Sequence, residues 1–181
     1  PDMLHHDFLF STNSDEEFRD IYERKIPHKD PTIYLAIPSR TDTSVAPKGS
    51  EAVYALVHTP YISPNFDWEQ GAAEYRDIIL DKMERCGMTG LRDSIVTERM
   101  ITPVDLEKLY WVNKGAIYGV VTKRGLTSAF KTGNRSHIAG LYFAGGSVNP
   151  GAGVPMVLMS GQIAAQCVLE DTNARTLVSA K

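Results

Sequence analysis

The segment from Gly140 to Met156 constrains this chain more than any other. After Gly140, Leu141-Tyr142-Phe143-Ala144 reads as a short buried strand, and Gly145, Gly146, Gly151 and Gly153 follow it closely. Pro155 then opens a helical run to Glu170. Glycine lets a backbone come close to a ligand, and the free amides of a helix N-terminus favour an anion or a polar ring edge. Proline in the first turn fixes the helix start without losing a needed donor. Downstream, Ser160, Gly161, Ala164 and Ala165 give the helix a small-residue face suited to close packing. The residue types alone leave two readings open: a cradle for a ligand, or a tight turn that serves packing only.

Three familiar glycine motifs fail here. A dinucleotide-binding G-x-G-x-x-G would need glycine where Met156 stands, and the residues that remain cannot hold the following βαβ unit. The Gly-Lys-Ser/Thr of a phosphate-binding loop is absent. A nucleophile elbow around Ser160 would need glycine at the position of Leu158.

Upstream, Leu4 to Phe10 alternates as a strand with His6, Phe8 and Phe10 on one side. Ser14 with Glu17 reads as a capping box before Phe18, Ile21 and Tyr22, and Pro27 stops that helix. Thr32 to Ile37 and Val53 to Val57 are strand-like and flank a long surface loop from Pro38 to Ser50, which predicts antiparallel neighbours. Asp67 and Gln70 cap a second helix whose buried stripe is Trp68, Ala72, Tyr75, Ile79, Met83 and Cys86, with Gly87 as its stop. Ile95 to Ile101 reads as a strand, and Pro103 to Tyr110 as a short helix. Gly115 to Gly133 is too glycine-punctuated to assign, and Leu177 to Lys181 is expected to fray. The pattern predicts an α+β fold with a mixed or antiparallel sheet and packed helices.

The 181 residues carry a formal charge of -3, so there is no basic footprint and nucleic acid is not an expected partner. Cys86 and Cys167, the two cysteines, make neither a disulfide framework nor a metal cluster, which fits a reducing compartment. The most apolar stretch, Ala152 to Val168, is interrupted by Pro155, Ser160, Gly161, Gln162 and Gln166, whereas a spanning helix wants about 20 predominantly apolar residues. No signal peptide opens the sequence; beginning Pro1-Asp2-Met3, it reads as a piece of something longer.

The run from Gly140 to Ala165 resembles the C-terminal signature of bacterial-type phytoene desaturases, the FAD-dependent carotenoid desaturases. His5-His6-Asp7, Pro31-Thr32-Ile33-Tyr34, Ala46-Pro47-Lys48-Gly49, Gly115-Ala116-Ile117-Tyr118-Gly119 and Asn134-Arg135-Ser136 agree in kind and order, so the resemblance reaches to about Glu170. The wording from Gly145 to Met156 is more similar to hydroxy- or methoxycarotenoid 3,4-desaturases than to phytoene desaturases proper, with Asn149 at the variable polar position. The resemblance implies a substrate-binding domain over 1–133 and a flavin-contacting segment over 134–181. The family's N-terminal Rossmann half has no counterpart here. It implies FAD in the full-length protein, contacted by Gly145, Gly146, Ser147, Pro150, Gly151, Gly153, Val154 and Pro155, and not retained by this chain alone. The implied reaction passes a hydride from a C–H bond of a hydrophobic polyene to oxidised flavin, with a proton leaving the adjacent carbon. The implied setting is cytoplasmic at a membrane surface, with self-association through an exposed docking surface. A stand-alone isoprenoid- or lipid-binding module, or a purely structural interaction domain, are the alternatives.

No residue is assigned as catalytic base, because no carboxylate has a singular spacing. In a strand His5 and Asp7 share a face and His6 points away; with no third ligand nearby, metal is not expected. His28, His58 and His137 are expected on surfaces or loops. Tyr61 to Trp68 forms an aromatic loop that either packs into the core through Phe66 and Trp68 or meets a hydrophobic substrate or bilayer.

Overall fold

A computed structural model of the protein describes residues 3–118 and 132–179, with side chains of the last helix described through Asn173. The chain divides into two compact units, Pro1–Asp105 and Leu106–Lys181.

The first unit is built on three antiparallel strands, β1 (His6–Leu9), β2 (Ile33–Ala36) and β3 (Tyr54–Val57), in that spatial order. Phe8 opposes Tyr34 and Leu35 opposes Ala55, so the expected alternation sets the register. The class is α+β with an antiparallel sheet. Ile33 and Leu35 point to one face and are fully buried against Leu80 and Met83 of α2 (Trp68–Arg85). The other face is aromatic: Phe8 stacks beside Phe10 at 5.8 Å and meets Tyr34 at 5.1 Å, and Tyr34 meets Tyr54 edge-on. Phe8, Phe10 and Tyr54 on that face are more than half exposed.

Helix α2 begins and ends where the sequence places it. The Asp67 carboxylate accepts from the amides of Glu69 and Gln70. At the other end Gly87 takes a φ of +112°, and the amides of Gly87 and Met88 donate to the carbonyls of Glu84 and Met83. Trp68, Ala72, Tyr75 and Met83 are buried as the stripe predicts, but Cys86 is exposed. It falls at the C-cap, beyond the last buried turn of the helix. Phe66 and Trp68 pack edge-to-face at 4.8 Å in the cluster around Ala72 and Tyr75, which favours the core reading of that loop.

Several expectations are corrected. Helix α1 (Ser14–Arg19) is capped by Asn13, not Ser14; the Asn13 side chain accepts from the Glu16 amide. Glu17 turns away from any capping box and receives hydrogen bonds from the amide and hydroxyl of Thr32, each 2.7 Å. The chain continues as a π-helical turn, Asp20–Arg24. His28 lies on a loop, as expected, but is buried: its Nδ1 lies 2.6 Å from Asp20, a carboxylate that offsets the cost of enclosing the ring. Ile95 to Ile101 is not a strand; a short α3 (Leu91–Ser94) precedes irregular backbone in which Val96 is 93% exposed. Its apolar residues do not alternate, so neither face of a strand would be apolar. The loop from Pro38 to Ser50 contains 3-10 turns at Pro38–Arg40 and Thr43–Val45.

Helix α4 (Pro103–Tyr110) matches the expected span, with the Asp105 carboxylate accepting from the Thr102 amide at its start. Helix α5 (Val154–Ser179) runs further than the expected Glu170. Leu141 to Ala144 is not a buried strand: one bridge joins Arg135 and Tyr142, and Leu141 and Phe143 are partly exposed. Much of Gly115 to Gly133, and residues 180 and 181 of the segment expected to fray, lie outside the described residues.

One cation ties the first unit together. Lys82 of α2 is buried, and its Nζ donates to Asp30 at 2.7 Å and to the carbonyl of Phe10 at 2.9 Å. Burial alone would raise the Asp30 pKa, but hydrogen bonds from Lys82 and from the amide and hydroxyl of Thr12 outweigh it and hold the carboxyl down to about 2. The stabilisation from this depressed group is complete above its ordinary value of 3.8 and is lost as pH falls towards about 2. Asp30→Asn leaves the buried ammonium with neutral acceptors only and is expected to cost about 3 kcal/mol at neutral pH. Urea unfolding between pH 7 and 2 checks this: the wild type should lose the increment across that acid window, and the variant should show a flatter acid limb.

Candidate functional site

The glycine loop belongs to the second unit, and its geometry is set by backbone torsions. Gly145, Gly151 and Gly153 take φ of +120°, +134° and +107°, values that L side chains rarely adopt. A Cβ added at Gly145 or Gly153 would meet no atom within 4 Å, so no packing among the described residues demands glycine there. At Gly146 the added carbon would lie 3.4 Å from Ala152, a close approach of loop to loop. Ser147, Val154 and Pro155 are exposed, while Gly151 is buried and Pro150 is half-buried after a cis peptide bond from Asn149. Val154 and Pro155 form the first turn of α5, and the Val157 amide donates to the Gly153 carbonyl. The eight residues expected from sequence therefore lie on one continuous loop and helix start.

Two further residues, whose part the sequence hid, hold this loop. Asn134 is 5% exposed and Ser160 is fully buried. The Asn134 side-chain amide lies 3.1 Å from the carbonyls of both Phe143 and Asn149, 2.9 Å from Ser160 Oγ and 3.2 Å from the Ser160 carbonyl. Ser160 Oγ also accepts from the Gly145 amide at 3.0 Å. Backbone bonds run beside these: Phe143 N donates to the Asn134 carbonyl and Asn149 N to the Thr132 carbonyl. Ser160 thus serves as a buried support, neither a nucleophile nor merely a small residue. Nothing local in a sequence marks a pair that meets across 26 positions.

The strap from Asn134 to Tyr142 is tied to α5 at its far end. Arg135 pairs with Glu170 at 2.9 Å and with Asp171, and the Tyr142 hydroxyl donates to Asp171 at 2.7 Å. A shallow cavity of about 220 Å³ lies among Arg135, Ser136, Ile138, Gly140, Tyr142 and Asp171. His5, His6 and Asp7 are engaged separately, with Thr41, Tyr34 and the Leu4 amide. Among the described residues no group of three or more His, Cys, Asp or Glu is placed to hold a metal. Nor is any helix among them long and apolar enough to cross a membrane.

A flat, polar-rimmed cofactor would need backbone donors and open room beside them. The loop leads into the start of α5, and the missing Cβ atoms at Gly145 and Gly153 leave open space beside them. No protein-family profile matches the chain. Over 161 residues it is 44% identical to the 4,4'-diaponeurosporene oxygenase of Staphylococcus haemolyticus (strain JCSC1435), covering 88% of this chain and 32% of that protein. Over 163 residues it is 44% identical to the 4,4'-diaponeurosporene oxygenase of Staphylococcus aureus (strain MSSA476), covering 90% of this chain and 33% of that one. The chain spans about one third of the length of the curated relatives it matches. These relatives are carotenoid-pathway enzymes, the kind the resemblance implied, but they are named for oxygenation and not for desaturation.

The loop torsions can be tested without any ligand. Gly153→Ala makes no clash but must hold a φ near +107°, and is expected to cost about 1–3 kcal/mol. Gly161→Ala, within α5 and facing open space, is expected to stabilise by about 0.5–1 kcal/mol. Thermal unfolding of the two variants beside the wild type should separate them in opposite directions.

Proposed function

We propose that this chain is the substrate-side and C-terminal part of an FAD-dependent oxidoreductase that modifies a long polyene of the carotenoid type. The observation that carries the proposal is the 44% identity to 4,4'-diaponeurosporene oxygenases over about nine-tenths of the chain. In this reading residues 1–133 bind substrate and 134–181 return to the flavin. Bound FAD would supply the two-electron acceptor for oxidation at a C–H bond of the polyene. The chain's own share is positioning. Gly145, Gly146, Ser147, Pro150, Gly151, Gly153, Val154 and Pro155 would line the cofactor with backbone, with Gly145 and Gly153 leaving room for its ring. The exposed aromatic sheet face of Phe8, Tyr34 and Tyr54 would lie along the apolar polyene and keep water from it.

The sequence resemblance favours desaturation, and the names of the relatives favour oxygenation. Mass spectrometry separates the two. Full-length protein, supplied with FAD and liposomes carrying a linear polyene, should yield products lacking hydrogen pairs in the first case and products gaining oxygen in the second. Binding of the polyene with neither product would overturn the enzyme reading in favour of a lipid-binding module. Replacing Gly151 or Gly153 with a bulky residue in that protein should abolish flavin retention or turnover. Wild-type flavin content and activity in both variants would remove the loop from the cofactor site.

The proposed setting is the cytoplasmic side of a membrane surface, occupied without spanning. Liposome flotation should recover the full-length protein, and high salt with mild detergent should release it. The present chain alone should bind FAD weakly. Contacts to one part of a ligand must still offset its lost translational and rotational freedom, about 4–15 kcal/mol. Its exposed Val154, Leu158 and Leu169 on α5 are the surface through which it is expected to self-associate. Fluorescence titration with FAD and sedimentation against concentration test these two expectations. Saturable one-to-one binding at micromolar FAD, or a monomer at all concentrations, would count against them.

A further inference from the structure

The Asn134 side chain occupies a site made for a donor. Its Nδ2 lies within 3.2 Å of four oxygens: the carbonyls of Phe143, Asn149 and Ser160, and Ser160 Oγ. Those acceptors sit at the entry to the glycine loop, midway along it, and on the helix that follows. Both N–H hydrogens of one carboxamide are shared among them, so a single side chain joins all three segments. Ser160 Oγ relays the hold by accepting from the Gly145 amide, where the loop turns through positive φ. The contacts with Ser160 are buried and those with Phe143 and Asn149 part-buried, so acceptors left without this donor carry a desolvation cost.

We infer that Asn134 is a positioning residue: its carboxamide holds the Gly145–Pro155 loop in the shape that receives the cofactor, with Ser160 as its relay. The inference rests on the flavin reading proposed above and adds to it the residue that sets the loop geometry. Asn134 itself is buried and need not touch the cofactor.

Asn134→Asp is the sharp test, because it keeps the shape and replaces the donor by a carboxylate oxygen facing four oxygens. In the full-length protein, N134D should raise the Kd for FAD at least about tenfold. The visible absorption band of flavin that still binds should shift, since the amides at its edge have moved. Hydrogen exchange should quicken at the Gly145 and Asn149 amides, while α2 keeps its protection. Ser160→Ala, which retains the carbonyl acceptors, is the milder second variant. It should weaken FAD binding severalfold with the fold intact, and it carries the test if N134D does not fold. A Kd within twofold of wild type and a superimposable flavin spectrum, in N134D or, where that variant does not fold, in S160A, would overturn the inference alone. Failure of the wild-type full-length protein to bind FAD at all would overturn the flavin reading, and the inference with it.

Discussion

The first unit depends on the burial of one face of β2. Ile33 and Leu35 lose all contact with solvent against Leu80 and Met83, and full burial of such side chains is worth about 1.5–3 kcal/mol each. β1 and β3 pair on either side of that seat, where a slip of one residue would carry the slipped strand's own side chains to the opposite face. The polar anchors follow the same strand. Glu17 grips Thr32 just before it, and Lys82 draws Asp30 and the Phe10 carbonyl onto α2. With its inner face committed to the core, the sheet is left to display its aromatic residues on the other side.

The second unit is organised on a different principle. Among the described residues its buried apolar side chains are Val148 and Ala164, whereas Asn134 and Ser160 are buried polar ones. Hydrogen bonds there do what apolar packing does in the first unit, and they act on backbone groups of a loop with few ladder partners of its own. A loop held by a few donors can be shaped finely, and it also loses its shape when one donor is removed. Such a support suits a segment that must present amides and open space to a ligand and cannot close upon itself.

Much of this was legible in the sequence where a single element decided the outcome. Asp67 and Gly87 bounded α2 because a capping carboxylate and a positive-φ glycine act locally. The alternation in β1 and β2 likewise gave the sheet its faces, and the four glycines with Pro155 located the loop and helix start. What escaped was decided by partners far along the chain. Asn13 and Ser14 are both able caps, and only the path of the backbone chooses between them. His28 is buried because Asp20 waits for it, and Leu141 to Ala144 failed as a strand because one bridge was its whole pairing. The Asn134–Ser160 contact is the same case at the site itself: the loop could be seen in the sequence, and what holds it could not.

The placement of the two tryptophans gives each unit its own optical reporter. Trp68 is 7% exposed, enclosed by Phe66, Ala72 and Tyr75 in the first unit, while Trp111 in the second is 93% exposed. The enclosed indole emits at shorter wavelength and is shielded from dissolved iodide; the exposed one emits as in water and is quenched freely. Melting of the first unit therefore reddens the emission, whereas any surface that comes to cover Trp111 blues it and removes its quenching. Unfolding of one part and docking upon the other thus leave opposite colour changes in a single unlabelled sample.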